Sequence, residues 1–151
     1  MGTAIALASD HAGYALKEVL KAELQASGYA VDDLGTHSLD SVHYPDFGLA
    51  AGQAIAEGRA ERAVIVCGTG IGISIAANRV PQVRAALCHD TTTTRLCRQH
   101  NDANVLALGA RIVGEEVAKD CLRVFLSTDF EGGRHSSRVE KLGRGLDAAP
   151  T

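Results

Sequence analysis

At 151 residues with 46% hydrophobic side chains, the chain has the length of one domain and can bury a core without disulfides or metals. Aromatics are scarce at 4% and Trp is absent, while aliphatic residues and Gly abound, a palette suited to parallel strands buried under helices. A formal charge of −3 argues against an overall basic field, so neither nucleic acid nor an anionic membrane is expected as a partner, and any anion must be caught by a local site.

The spacing predicts a strand over 4–8 and a helix over 13–27 whose Leu16, Val19, Leu20 and Leu24 share one face. Gly28 closes that helix, 29–33 reads as a second strand, and the Gly-, Ser- and His-containing stretch 35–43 reads as a long loop. Pro45 suits the first turn of a helix reaching Gly58, with Phe47, Ala51, Ala54 and Ile55 inward, and the almost purely apolar 63–67 is a central strand. Residues 68–72 open a helix through Asn78, 83–88 is a fourth strand, and Thr91 can cap a helix running to about Gln99. A fifth strand over 105–108, a helix over 115–127 burying Val117, Cys121, Val124 and Phe125, and a polar terminal helix over 136–144 complete the alternation.

With no internal repeat and no linker, residues 1–151 are expected to form one α/β domain, a three-layer αβα arrangement around five parallel strands, with 146–151 as a flexible tail. In such a sheet ligands bind beyond the carboxyl ends of the strands, where Ser9-Asp10-His11, Cys67-Gly68-Thr69 and Gly109-Ala110-Arg111 would emerge together. No stretch approaches the roughly 18 apolar residues of a membrane span. The N-terminal Met1-Gly2-Thr3 lacks the basic flank of a signal peptide, and residue 6 is Ala where a myristoylation signal wants Ser or Thr, so a cytoplasmic protein is expected. Cys67, Cys88, Cys97 and Cys121 contain no CxxC pair, which suits reduced thiols.

The sharpest segment is Val64-Ile65-Val66-Cys67-Gly68-Thr69-Gly70-Ile71-Gly72-Ile73-Ser74, a buried strand running into a glycine-rich turn and then a helix. Glycines let successive backbone N–H groups turn inward, so the turn has the build of an anion cradle, and the positive potential at a helix start would favour a thiolate at Cys67. Thr69 could add a hydroxyl donor. An inert buried cysteine in a tight turn fits the same residues, as does dinucleotide binding, although the spacing is GxGxG rather than GxGxxG and follows the third strand. Asp90, some 20 residues on, keeps the dinucleotide alternative open.

His11 beside Asp10 could orient hydroxyl or phosphate groups of a ligand, or be a surface histidine next to a helix cap. His100 in His100-Asn101-Asp102 is the second acid–base candidate. Cys88, His89, Cys97 and His100 spell a zinc set only loosely, since Cys88 lies in strand register and Cys97 on a helix, and no metal is expected. Arg134 and Arg138, four apart, could chelate a phosphate with Arg111 as a third cation, or be solvated surface charge paired with Glu131 or Glu140.

Taken together, Ala8-Ser9-Asp10-His11-Ala12-Gly13, Tyr44-Pro45, the segment from Cys67 to Ser74, Arg98-Gln99-His100-Asn101-Asp102 and Glu131-Gly132-Gly133-Arg134-His135 resemble the type B ribose-5-phosphate isomerases and the related galactose-6-phosphate isomerase subunits. The resemblance spans nearly the whole chain. It implies a Rossmann-like sheet, a homodimer or tetramer with active sites shared between subunits, a sugar phosphate as substrate, and no cofactor or metal. It assigns Cys67 as the base that moves a proton through an enediolate, Gly68, Thr69, Gly70, Ile71 and Gly72 as the anion hole, and His100 as the ring-opening residue. Asp10, Tyr44 and Asn101 would hold substrate hydroxyls. His11, Arg111, Arg134 and Arg138 would bind phosphate, with His100, Asn101 and Arg111 reaching in from the partner subunit.

One position departs from the family pattern: His43 stands before Tyr44-Pro45 where an acidic residue is usual, in a loop that also carries His37. Because this loop residue would lie near the sugar, tetrose and hexose phosphates stand as alternatives to the leading substrate, ribose 5-phosphate. A phosphate- or nucleotide-binding module without turnover is the non-enzyme alternative, which would not require a thiol at position 67.

Overall fold

The structure, a computed structural model, describes residues 4–147. Met1 to Thr3, on which the signal-peptide and myristoylation expectations partly rest, and 148–151 of the expected tail lie outside the described residues. In chain order the elements are β1 (Ala4–Ser9), α1 (Tyr14–Ala26), β2 (Val31–Asp33), α2 (Tyr44–Ala56), β3 (Ala60–Cys67), α3 (Ile71–Ala77), β4 (Ala85–Leu87), α4 (Thr91–Asn101), β5 (Val105–Gly109), α5 (Glu115–Ser127) and α6 (Ser136–Arg144). Short 3₁₀ turns at Gly133–His135 and Gly145–Asp147 flank α6.

The five strands are all parallel in the order β2-β1-β3-β5-β4. Strand alternation sends Ile5, Leu7, Val64, Val66, Leu106 and Leu108 to one face, against Leu20 and Leu24 of α1, Cys97 of α4 and Cys121, Leu122 and Phe125 of α5. Ala6, Ala8, Ala63, Ile65, Cys67, Val105 and Ala107 face the other way, against α2 and α3. This second face is built largely of alanine, so its helices ride close to the sheet and to each other. A Cβ added at Gly48 of α2 would stand 2.7 Å from the Ile73 carbonyl oxygen.

The chain moves to one side of β1 to form β2 and to the other side to form β3, so the connections diverge where β1 and β3 end. That divergence opens a crevice at the carboxyl edge. Register places Ser9 beside Val66 and Cys67 beside Gly109, so Asp10, Gly68 and Ala110 leave the sheet at one level, as expected.

Several expectations need correction; among them, the second strand is Val31–Asp33, not 29–33, and Phe47 and Ile55 of α2 are only half-buried. On α5 the buried stripe is Ala118, Cys121, Leu122 and Phe125, whereas Val117 is 41% exposed and Val124 only half-buried. The small Ala118 side chain is the one that packs on the sheet, which turns Val117 outward. The cap of α4 is Asp90, not Thr91, because its carboxylate reaches back to accept the Thr93 N–H at 2.7 Å. β4 is confined to Ala85–Leu87 at the sheet edge, short of the expected 83–88. On α1, Lys17 is fully buried together with Leu20 and Leu24, while Leu16 and Val19 are only half-buried. Lys17 is tolerated because its ammonium donates to both Asp33 oxygens, at 2.7 and 2.8 Å, and to Glu18 at 2.9 Å.

Candidate active site

Cys67 is the last residue of β3 and is 5% exposed. Its sulfur accepts the Gly70 N–H at 3.2 Å, so the glycine turn supplies a donor directly to the thiol position. Gly70 sits at φ +78°, and a Cβ there would meet Leu87 Cδ1 at 2.5 Å and the Leu108 carbonyl carbon at 2.9 Å, so backbone conformation and space both require glycine. Thr69 is exposed, and its hydroxyl oxygen accepts the Ile71 N–H at 3.2 Å, which leaves its proton available to a ligand. Tyr44, the first residue of α2, lays its ring on Gly72, where a Cβ would come within 2.5 Å of the ring.

Asp10 is 7% exposed, and one carboxylate oxygen accepts the Gly13 N–H at 3.0 Å. His11 Nδ1 accepts the Val42 N–H at 3.1 Å, which puts the proton of a neutral ring on Nε2 and ties the 35–43 loop to the sheet edge. Arg111 donates its backbone N–H to the Gly68 carbonyl at 2.9 Å and lays its guanidinium over Gly68. The result is one cleft of about 440 Å³ lined by Asp10, Tyr44, Cys67, Gly68 and Thr69 together with Ile71, Gly72, Ile75 and Arg111. It joins a sulfur, a carboxylate, a phenol, a hydroxyl and a guanidinium around a glycine turn, the parts needed to move a proton beside a carbonyl and hold the oxyanion that forms. Arg111 thus lines the same cleft as Cys67 within one chain.

The other expected residues stand elsewhere. His100, Asn101 and Arg138 line a second cleft of about 370 Å³ with His135, Val139 and Leu142. Arg98 fixes this corner by donating to Asp102 at 2.8 Å, to the Ala103 carbonyl at 2.7 Å and to the Thr128 carbonyl at 3.0 Å. His100 Nε2 lies 3.6 Å from a Glu131 carboxylate oxygen, and its ring stacks on His135 with centroids 4.5 Å apart. Burial lowers the pKa of His135, and the nearby His100 and Arg134 charges lower it further. Arg134 lies in the exposed turn before α6 and lines neither cleft.

Glu131 and His135 as companions of His100 escaped the sequence reading. Their i, i+4 spacing across Gly132-Gly133 was visible, but pairing with His100 needs the tertiary fold. Of the zinc set considered above, Cys88 and Cys97 do approach, with sulfurs 4.0 Å apart. His89 and His100 do not join them; among the described residues the group able to converge on a metal is His100, Glu131 and His135.

The Ribose/Galactose Isomerase family profile matches residues 5–142. The ribose-5-phosphate isomerase B of Escherichia coli is 44% identical over 138 residues, covering 91% of this chain and 93% of that protein. The D-erythrulose-4-phosphate isomerase of Pectobacterium atrosepticum is 41% identical over 140 residues, covering 92% of each. Among solved structures, the ribose-5-phosphate isomerase B of Clostridium thermocellum superposes with a TM-score of 0.93 at 49% identity, covering 94% of this chain and 96% of that one.

Proposed function

This chain belongs to the Ribose/Galactose Isomerase family and is an aldose–ketose isomerase of sugar phosphates, and from that premise we propose that it interconverts ribose 5-phosphate and ribulose 5-phosphate through an enediolate. The observation that carries the proposal is Cys67 at the floor of the first cleft, its sulfur already receiving a backbone N–H from the turn that would also face the substrate oxygens. Cys67 takes the proton from the carbon next to the carbonyl and returns it to the neighbouring carbon. Negative charge that develops on the substrate oxygen is met by the 68–72 backbone and the Thr69 hydroxyl, and Arg111 adds a cation at the same rim. Asp10 and Tyr44 hold hydroxyls of the opened sugar.

Ring opening and phosphate capture fall to the second cleft. His100, Asn101 and Arg138 are placed apart from Cys67 on one chain, which supports a homodimer in which a second copy presents them, with Arg134, to the Cys67 cleft. Such an enzyme would act in the cytoplasm and need no metal. A different sugar phosphate is the second reading, favoured by His43, which precedes Tyr44 at the start of α2, and by the likeness to a tetrose-phosphate isomerase. Product detection on a panel of aldose and ketose phosphates tests both. Turnover of ribose 5-phosphate that disappears in Cys67→Ala is expected; no turnover of either pentose phosphate would refute the substrate.

A further inference from the structure

The second cleft carries a group of side chains that the proposed isomerisation uses only in part. A Glu131 carboxylate oxygen stands 3.6 Å from His100 Nε2 and 3.9 Å from His135 Nε2, and one ligand atom from each of the three residues falls within 4.8 Å of the others. With bonds of about 2.0–2.1 Å to a tetrahedral zinc ion, neighbouring donors are about 3.4 Å apart. Two edges of the triangle are thus already close to that spacing. The remaining adjustment is to fan apart two imidazoles that lie stacked within 15° of parallel, which rotation about side-chain torsions supplies.

The backbone brings the three donors together without a ligand. His100 sits in the last turn of α4, and the Glu131 N–H donates to the carbonyl of the preceding residue, Gln99, at 3.0 Å. Gly132 and Gly133, at φ +66° and +54°, reverse the chain, and the His135 N–H returns to the Gly132 carbonyl at 3.0 Å. Two imidazoles and one carboxylate, with the remaining position open to a cleft, is a donor set zinc adopts where it keeps an exchangeable ligand. Calcium and magnesium prefer oxygen donors, so the two ring nitrogens select a borderline transition metal instead.

We propose that His100, Glu131 and His135 form a binding site for one borderline transition-metal dication, zinc foremost, which blocks turnover by occupying the ring nitrogen of His100. A metal bond uses the lone pair through which the imidazole would exchange a proton, so the ion acts as an inhibitor and not as a cofactor. Arg134 and Arg138 repel a dication here, since both charges act on His135, and they hold the affinity below that of a structural zinc site. Only the inhibition rests on the isomerase reading; the binding does not.

The test is calorimetric titration of the full chain with zinc chloride in the absence of sugar, with cobalt(II) as a spectroscopic probe. One dication per chain is expected. Cobalt should show the visible bands of a nitrogen- and oxygen-bound ion with no thiolate charge-transfer band, and affinity should fall roughly tenfold or more in Glu131→Gln and in His135→Asn. Glu131 is exposed, so its near-isosteric change keeps the test valid even where the His135 variant folds poorly. Absence of stoichiometric binding, undiminished affinity in Glu131→Gln, or a thiolate band that moves the ion to Cys88 and Cys97 would each overturn the proposal. Turnover of ribose 5-phosphate without zinc binding would defeat this proposal alone, and zinc binding without turnover of any sugar phosphate would defeat the isomerase reading and with it the inhibition, leaving the binding site standing.

Discussion

Asp33→Asn is expected to destabilise the protein and flatten its acid unfolding, because Asp33 is the main partner of a fully buried ammonium. The Lys17 side chain is 0% exposed and that of Asp33 11% exposed, with the Lys17 ammonium 2.7 Å from one carboxylate oxygen. Burial alone would raise the Asp33 pKa, but the bonds from Lys17, the Gly35 N–H and Lys21 outweigh it and hold the group at about 2. The drop from 3.8 to about 2 is worth about 2–3 kcal/mol at about 1.4 kcal/mol per unit. Since the folded-state pKa is the lower one, the unfolded chain binds more protons in this window. The contribution is therefore complete above pH of about 4 and is lost as pH falls toward 2. At neutral pH the substitution strands the Lys17 charge, for which removal of one partner of a buried pair costs about 3–5 kcal/mol, with Glu18 tempering the loss. Because Asp33 also holds Gly35, whose carbonyl accepts the Ser9 N–H, the change should loosen the edge from which Asp10 emerges. Urea unfolding of the wild type and variant at neutral pH and at several points between about pH 4 and pH 2 measures both effects. A variant that loses less than about 1 kcal/mol at neutral pH, or that keeps the wild-type acid slope, would refute the reasoning.

Cys67→Ala should abolish isomerisation while leaving substrate affinity within about tenfold, since a base acting in the transition state adds little to ground-state binding; steady-state kinetics with calorimetric binding decides it. Arg134→Ala and Arg138→Ala should mainly raise KM, each by about 1.5–3 kcal/mol if its charge-assisted bonds to phosphate are lost, and unchanged kinetics in both would return them to solvated surface charge. His100→Asn should slow a ring-closed pentose phosphate by about 10²–10⁴-fold while sparing a tetrose 4-phosphate, which has no free hydroxyl placed to close a furanose. Equal losses on the two sugars would show that His100 serves the enediolate step or the architecture.

Local chemistry was legible in the chain itself. The apolar run ending at Cys67, the glycines after it and the alternation of strands with amphipathic helices depend on neighbours within a few residues, so the parallel α/β layering and the glycine turn at the end of β3 could be read directly. The Ala6, Ala8, Ala63 and Ala107 face, to which helices pack closely, was present as composition but acquired its meaning only from strand register. What the fold alone decided are choices among near-equivalent local options, settled by partners far away in the sequence. Lys17 turns inward because Asp33 waits sixteen residues on, and Val117 turns outward because Ala118 fits the sheet. His100 meets Glu131 and His135, and stays apart from the cleft holding Cys67, because the chain after α5 folds back on the end of α4. Periodicity states which face of a helix is apolar to within one residue; the particular contact that is satisfied depends on long-range packing, where one hydrogen bond or one methyl group tips the balance.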